Sequence, residues 1–305
     1  MAARPLSAPR GVLLVATLLL LVSGCRGSAD GGGSSAAAPV SPASPDASAA
    51  SPAAAAPRFS RYVALGDSYT AAPGVPGQQS EDGCLRSSAN YPHVLATALP
   101  VGRLVDVSCS GADTGDVRTR QLRGVRPQLA AVTRDTDLVT IGLGGNDQDL
   151  FIRLLTTCLR QDPASVAGSP CTDALRQSVT PTLRRMQQSL ERVVREVHAK
   201  APAARILLVG YPQIVPASGT CAEVPFAPAD YRFAHEVNHG LTEAVRRAAA
   251  RTRATYVDVW RASAGHDVCA AEPWINGING PGAAAFHPFA VEQAAVARLV
   301  TAAVG

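Results

Sequence analysis

The sequence contains a single lysine, Lys200, few aromatic residues and no run of lysine or arginine. Aromatic residues make up 5% of the chain, and the formal net charge is only +4 over 305 residues. Proteins that bind nucleic acids usually carry a basic patch or stripe, often with aromatic side chains that stack on bases. Because both features are missing, we expect no nucleic acid among the partners of this protein.

The sequence also lacks an apolar run long enough to cross a bilayer, which takes about 20 residues. Its main apolar run, residues 11–22, follows Arg4 and Arg10 and ends in Ser23-Gly24-Cys25. A basic start, a short apolar core and an ending of small residues are typical of an export signal. We therefore predict a signal peptide over residues 1–24.

The Val-Ser-Gly-Cys ending of this segment resembles the bacterial lipobox. The resemblance implies that Cys25 becomes the lipidated first residue of the mature protein and anchors it to the outer face of the cell membrane. The cysteine count agrees, because removing Cys25 from the seven cysteines leaves six, an even number that allows three disulfides in an exported domain. The alternative is an ordinary small-residue cleavage site with an incidental cysteine, which would make the protein secreted.

The segment after Cys25, up to residue 57, is almost entirely Gly, Ser, Ala, Pro and Asp. Such a composition cannot bury enough apolar surface to offset the entropy lost on ordering. We predict that residues 25–57 form a lipidated, disordered tether and that residues 58–305 form the folded domain.

Five short apolar runs alternate with helical patterns in the predicted domain. The runs cover residues 62–65, 104–107, 138–143, 206–210 and 256–259. Apolar residues spaced by three and four mark one helix from Leu175 to Val197 and another from Phe233 to Ala248. Strands separated by helices indicate a parallel sheet covered on both faces. We predict a three-layer α/β/α flavodoxin-like sandwich with a five-stranded parallel sheet in the order 2-1-3-4-5.

The first three predicted strands end in turns rich in glycine and hydrogen-bonding groups. Gly66-Asp67-Ser68 follows the first strand, residues 108–112 the second and residues 142–147 the third. In the predicted order these turns are neighbours at the carboxyl edge of the sheet, where α/β folds bind ligands. A serine nucleophile and hydrogen-bond donors for an oxyanion would therefore meet in one crevice.

These turns, together with His287 before the last helix, resemble the four sequence blocks of the SGNH/GDSL hydrolase superfamily. The resemblance implies an ester hydrolase in which Ser68 is the nucleophile and His287 the general base. It implies an oxyanion hole formed by the backbone N–H groups of Ser68 and Gly111 and the side-chain amide of Asn146. The substrate would be a small-molecule, glycan or lipid ester, and we expect no cofactor, no metal and a monomer.

The histidine block departs from the usual superfamily pattern. Most members carry an aspartate three residues before the histidine, where this chain has Ala284. Resemblance to an actinobacterial subgroup that lacks this aspartate implies a Ser/His dyad, with a backbone carbonyl near Ala284 orienting the His287 ring. Asp267 could supply a carboxylate instead, and sequence spacing leaves both alternatives open.

The same subgroup carries six cysteines that pair in sequence order. For this chain the resemblance implies the disulfides Cys84–Cys109, Cys158–Cys171 and Cys221–Cys269.

A different motif, His235-Glu236-Val237-Asn238-His239, fits the His-Glu-x-x-His pattern of zinc hydrolases. Helical spacing places the neighbouring apolar residues on one side of this helix. It places four polar residues on the opposite side, namely His235, His239, Thr242 and Arg246. We therefore expect a solvated helix face, with a zinc metallohydrolase as the alternative. A further alternative is a non-catalytic surface lipoprotein that uses the fold for binding.

Overall fold

The computed structural model describes residues 58–77, 79–159 and 168–305. The predicted signal peptide over residues 1–24, the predicted lipidation at Cys25 and the predicted tether up to residue 57 lie outside the described residues. Within the described ranges no helix is both long and apolar enough to cross a membrane.

Five parallel strands form one sheet in the order β2-β1-β3-β4-β5, which confirms the predicted topology. The strands are β1 Phe59–Gly66, β2 Val101–Asp106, β3 Leu138–Gly142, β4 Arg205–Val209 and β5 Thr255–Val257. In the register, Tyr62 of β1 lies between Leu104 of β2 and Leu138 of β3. The last strand ends earlier than predicted because the Asp258 side chain caps a short helix by accepting a hydrogen bond from the Arg261 N–H.

Seven α-helices connect or follow the strands in the described part of the chain. They are α1 Ser68–Ala71, α2 Tyr91–Ala98, α3 Leu150–Leu159, α4 Pro170–Lys200, α5 Tyr231–Thr252, α6 Val259–Ala262 and α7 Ala290–Val304. The two predicted apolar stripes lie on α4 and α5. Helix α7 begins at Ala290, with Phe289 at its N-cap and Pro288 immediately before that.

Alternating side chains of the strands pack into two separate cores, one on each face of the sheet. Val63 and Leu65 of β1 point into the larger core, which α3, α4 and α5 complete. Tyr62 and Ala64 point into the other core, which α2 and α7 complete. This arrangement is the predicted three-layer sandwich.

Three disulfides join the pairs that the family resemblance implies. They are Cys84–Cys109, Cys158–Cys171 and Cys221–Cys269. The first bond ties the loop that follows α1 to the turn after β2, and the Ser110 N–H donates to the Cys84 carbonyl at 3.0 Å beside it. The predicted Gly111 turn is therefore held by a covalent bond and a backbone hydrogen bond.

The structure corrects the prediction that one face of α5 is fully solvated. Thr242 is only 1% exposed, and its hydroxyl accepts a hydrogen bond from the Tyr211 N–H at 3.2 Å. His235 is half-buried, whereas His239 and Arg246 are exposed. Loops that follow β4 and β5 cover this part of the helix, an arrangement that helical periodicity cannot reveal.

Candidate active site

Ser68 is the first residue of α1 and directly follows the turn at the end of β1. The Asp67 carboxylate caps this short helix by accepting a hydrogen bond from the Tyr69 N–H at 2.9 Å. The Asp67 carbonyl accepts from the N–H groups of Thr70 and Ala71 at 3.2 and 2.9 Å. The first N–H groups of a helix have no partner within the helix itself. Asp67 accepts hydrogen bonds from three of the four N–H groups in α1. The fourth, the Ser68 N–H, makes no hydrogen bond to another described residue.

Close packing behind Ser68 explains why glycine precedes Asp67. A Cβ atom at Gly66 would lie 2.2 Å from the Thr70 hydroxyl oxygen, closer than any real contact. The Asp67 N–H donates to the Gly142 carbonyl of β3 at 2.9 Å. The turn of residues 66–68 therefore packs closely against the neighbouring strand.

The turn after β2 presents a second free N–H group, that of Gly111. Gly111 has a left-handed φ of +80°, which favours glycine. The Gln121 side-chain amide donates to the Ser110 carbonyl at 2.7 Å, and the Asn146 amide donates to the Ala112 carbonyl at 3.0 Å. Because N–H and C=O point in opposite directions in a trans peptide, the Gly111 N–H points away from Gln121. It makes no hydrogen bond within the described part of the chain.

Asn146 lies in the loop after β3 and is half-buried. Its contact with Ala112 brings the third predicted block against the second. Asp147 is buried behind it and accepts two hydrogen bonds from Thr114, from the backbone N–H at 2.9 Å and from the hydroxyl at 2.7 Å. Burial raises the pKa of Asp147 to about 6, although both hydrogen bonds from Thr114 oppose that rise. These contacts fix the loop from which the Asn146 amide projects.

His287 lies in the loop before α7, and its ring packs against the ring of Tyr69, with centroids 5.5 Å apart. The Tyr69 hydroxyl donates to the Phe286 carbonyl at 2.7 Å. Tyr69, the residue after Ser68, therefore holds the histidine loop by a ring contact and by a hydrogen bond. Burial lowers the pKa of His287 from its usual 6.5, while a hydrogen bond to the Ala285 carbonyl acts in the opposite direction. The imidazole is therefore neutral at pH 7 and able to accept a proton.

The carbonyl beside the His287 ring belongs to Ala285, which corrects the predicted position by one residue. His287 Nδ1 lies 2.7 Å from the Ala285 carbonyl oxygen. A carbonyl can only accept, so Nδ1 carries the proton and Nε2 is unprotonated. The Ala284 carbonyl is engaged elsewhere, since it accepts the His287 backbone N–H at 3.1 Å. The alternative carboxylate, Asp267, accepts the Cys269 N–H at 2.9 Å.

The His287 ring lies against Tyr69, the residue that follows Ser68, and no hydrogen bond joins the Ser68 hydroxyl to the imidazole among the described residues. Catalytic hydrogen bonds of this kind often tighten only when substrate binds.

Sequence reasoning missed Tyr211, which directly follows the Gly210 at the end of β4. Its hydroxyl donates to the Asp67 carboxylate and accepts the Gly145 N–H at 2.9 Å. Burial raises the pKa of Asp67 to about 7, and the hydrogen bond from Tyr211 opposes this rise. The rule that ligands bind at the carboxyl ends of parallel strands could have identified this position.

The zinc motif on α5 lies in a different environment. His235 Nδ1 lies 2.8 Å from the Val215 carbonyl, and Trp260 packs against both histidine rings, with centroids 5.2 Å and 4.8 Å away. In residues 58–77, 79–159 and 168–305, no group of three or more His, Cys, Asp or Glu side chains is placed to hold a metal ion.

Comparisons with known proteins agree with this geometry. A family model described as "GDSL-like Lipase/Acylhydrolase family" matches residues 64–290. The chain is 44% identical to "Lipase 2" of Streptomyces coelicolor over 216 residues, which cover 69% of this chain and 73% of that protein. Two crystal structures superpose with a TM-score of 0.70, and each match covers 80% of this chain and 99% of the other. One is phospholipase A1 of Streptomyces albidoflavus at 27% identity, and the other is an extracellular lipase of Streptomyces rimosus at 30% identity. The chain therefore belongs to the GDSL-like lipase/acylhydrolase family and is a carboxylic ester hydrolase of the lipase and esterase type.

Proposed function

We propose that this protein is an exported, lipid-anchored serine ester hydrolase that acts through an acyl-enzyme on Ser68. The observation that carries the proposal is the pair of N–H groups, on Ser68 and Gly111, that have no hydrogen bond within the described residues. Both belong to turns at the ends of adjacent strands, and the Asn146 amide reaches the same turn. Donors held in this way stabilise negative charge without reorganising during the reaction.

In the acylation step, the Ser68 oxygen attacks the ester carbonyl carbon while its proton moves to His287 Nε2. The carbonyl oxygen becomes an oxyanion and accepts hydrogen bonds from the Ser68 N–H, the Gly111 N–H and the Asn146 amide. Collapse of the tetrahedral intermediate breaks the bond to the alcohol, which leaves with the proton from His287. The products of this step are a free alcohol and an ester on Ser68.

In the deacylation step, water replaces the alcohol. Neutral His287 removes a proton from the water as it attacks the acyl carbon, and the same oxyanion donors stabilise the second intermediate. The proton then returns to the Ser68 oxygen as the carboxylic acid leaves. The Ala285 carbonyl keeps the proton on Nδ1, so the second ring nitrogen is available in both steps.

The relatives and the sequence support the proposed substrate class and location. The named lipase and phospholipase relatives support an acyl ester of a lipid as the substrate class. Three disulfides and a relative described as extracellular support export. Lipid anchoring rests on the Val-Ser-Gly-Cys segment alone. It predicts that the wild-type protein remains with the membrane and that Cys25→Ala loses the attached lipid, as mass spectrometry of the mature N-terminus would show.

Hydrolysis of a series of nitrophenyl esters tests the catalytic proposal. We expect turnover by the wild type, loss of kcat by at least about a thousandfold in Ser68→Ala and His287→Ala, and full activity in the control Ser178→Ala. Activity that survives Ser68→Ala but disappears with a zinc chelator would contradict the proposal and favour the zinc alternative. Folded protein without turnover on any ester would favour a binding lipoprotein.

A further inference from the structure

Tyr211 connects two loops that belong to different strands. Its phenol is buried, with only 2% of the residue exposed. The hydroxyl donates to the carboxylate of Asp67, which caps the helix beginning at Ser68. The same oxygen accepts the N–H of Gly145, which directly precedes Asn146. One oxygen atom therefore contacts both the nucleophile turn and the oxyanion loop.

The Tyr211 hydroxyl is packed closely against Gly145. Gly145 is buried, and a Cβ atom added to it would lie 3.2 Å from the Tyr211 hydroxyl oxygen. Its N–H makes no other hydrogen bond in the described chain. A conformation that leaves a buried N–H group without a hydrogen-bond partner is destabilised. The phenol oxygen is therefore the group that satisfies the Gly145 N–H, and its removal leaves that N–H without a partner.

Tyr211 is itself held at its backbone and at its ring. The Tyr211 N–H donates to the Thr242 hydroxyl of α5 at 3.2 Å. Its ring meets the Tyr69 ring edge to face, with centroids 5.2 Å apart, and Tyr69 in turn packs on His287. The buried tyrosine therefore also supports the ring that holds the histidine loop.

We propose that Tyr211 is a positioning residue, whose hydroxyl sets the distance between the Ser68 N–H and the Asn146 amide by bridging Asp67 and Gly145. This inference rests on the proposed function, since it assigns Tyr211 a role in the same oxyanion hole. Misplacement of catalytic groups by about 1 Å can reduce a rate about a hundredfold.

The variant Tyr211→Phe removes only the bridging oxygen and keeps the ring. We expect kcat to fall about tenfold to a hundredfold, with KM changed less than about twofold, because the donors act mainly on the transition state. The measurement is steady-state hydrolysis of a soluble ester by the full-length protein.

A second readout separates positioning from a general loss of structure. The titratable groups that face Asp67 are Tyr69, Tyr91, Tyr211 and Asp147. Of these, Tyr211 donates a hydrogen bond that favours the ionised carboxylate, so its removal raises the pKa of Asp67 further. Because the Asp67 carboxylate caps the helix that begins at Ser68, protonation of Asp67 would weaken that cap and disturb the Ser68 turn. We therefore expect the acid limb of the kcat/KM profile to move to higher pH in Tyr211→Phe.

Tyr62→Phe is the matched control. Tyr62 is fully buried in β1, and its hydroxyl is 2.7 Å from the Thr140 hydroxyl in the core that contains α2 and α7. The change removes the same atom from an equally buried residue that contacts none of the catalytic groups. We expect wild-type kcat and an unchanged pH profile in this variant.

Three results would decide the inference. A Tyr211→Phe protein with wild-type kcat and pH profile would overturn it, provided that Ser68→Ala is inactive in the same assay. A loss of kcat that Tyr62→Phe reproduces, with both pH profiles unchanged, would overturn it as well. Activity that survives Ser68→Ala would instead refute the proposed function.

If Tyr211→Phe does not fold, Gly145→Ala tests the same contact, because its methyl group meets the phenol oxygen, and the same shift of the acid limb is expected.

Discussion

Glu292 is a buried carboxyl group in the first turn of α7, five residues after the proposed general base. It is only 2% exposed, and its Oε2 accepts a hydrogen bond from the Gln293 amide at 2.7 Å. Burial raises the pKa of Glu292 from 4.5 to about 8, and the Gln293 hydrogen bond only partly opposes this rise. The folded protein therefore keeps this group protonated at neutral pH, whereas the unfolded chain does not.

This difference in protonation between the folded and the unfolded chain makes the free energy of unfolding depend on pH. Below pH 4.5 Glu292 is protonated in both the folded and the unfolded chain, and its contribution to the stability of the fold is complete. As pH rises towards 8, only the unfolded chain loses the proton readily, so this contribution is progressively lost. Each pH unit in this window costs about 1.4 kcal/mol, so the free energy of unfolding is lowered by up to about 3 kcal/mol at pH 7. Glu292→Gln keeps a neutral side chain of nearly the same shape and removes this cost. For a domain of this size the change corresponds to a Tm difference of up to about 6 to 12 °C.

The assay is thermal unfolding of the wild type and Glu292→Gln from pH 4 to pH 8.5, with the disulfides kept oxidised. We expect the variant to gain stability relative to the wild type as pH rises, with the difference approaching a constant value below pH 4.5 and above pH 8. The exposed Glu272 provides the matched control, and Glu272→Gln should show no such trend. A stability difference between Glu292→Gln and the wild type that does not change between pH 5 and pH 8 would refute the reasoning.

Three further predictions concern the site. Asn146→Ala should lower kcat by about 100-fold to 1,000-fold with little change in KM, because it removes one oxyanion donor; a change confined to KM would contradict this role. Gln121→Leu should lower kcat by about tenfold by releasing the Ser110–Gly111 peptide, whereas unchanged steady-state kinetics would show that the Cys84–Cys109 disulfide and the backbone hydrogen bond hold that turn without Gln121. Asp267→Asn should retain wild-type kcat, because the Ala285 carbonyl lies at the His287 ring; a loss as severe as that of His287→Ala in a folded protein would restore the carboxylate alternative.

The fold could be predicted from the sequence because its main signals are local. Apolar runs such as residues 138–143 and the three-and-four spacing from Leu175 to Val197 reflect burial that each element imposes on its own residues. The environment of Thr242 could not be predicted in this way. Its burial depends on Tyr211 and Tyr256, which reach it from loops and strands distant in the sequence.

The site residues also differ in how far local sequence signals could predict them. Ser68, Gly111 and Asn146 follow strand ends, so strand order alone placed them together. The carbonyl at the His287 ring was misplaced by one residue because its direction depends on the backbone angles of the loop, including the left-handed φ of 58° at Phe286. Sequence spacing carries no information about such angles.

Covalent labelling of the nucleophile tests the central claim most directly. A fluorophosphonate reacts with an activated serine, and intact-mass analysis of the full-length protein counts the adducts. We predict one adduct on the wild type, located at Ser68, and none on Ser68→Ala, with the control Ser178→Ala labelled like the wild type. Equal labelling of the wild type and Ser68→Ala, or ester turnover by a wild type that takes no label, would contradict the assignment of Ser68 as the nucleophile.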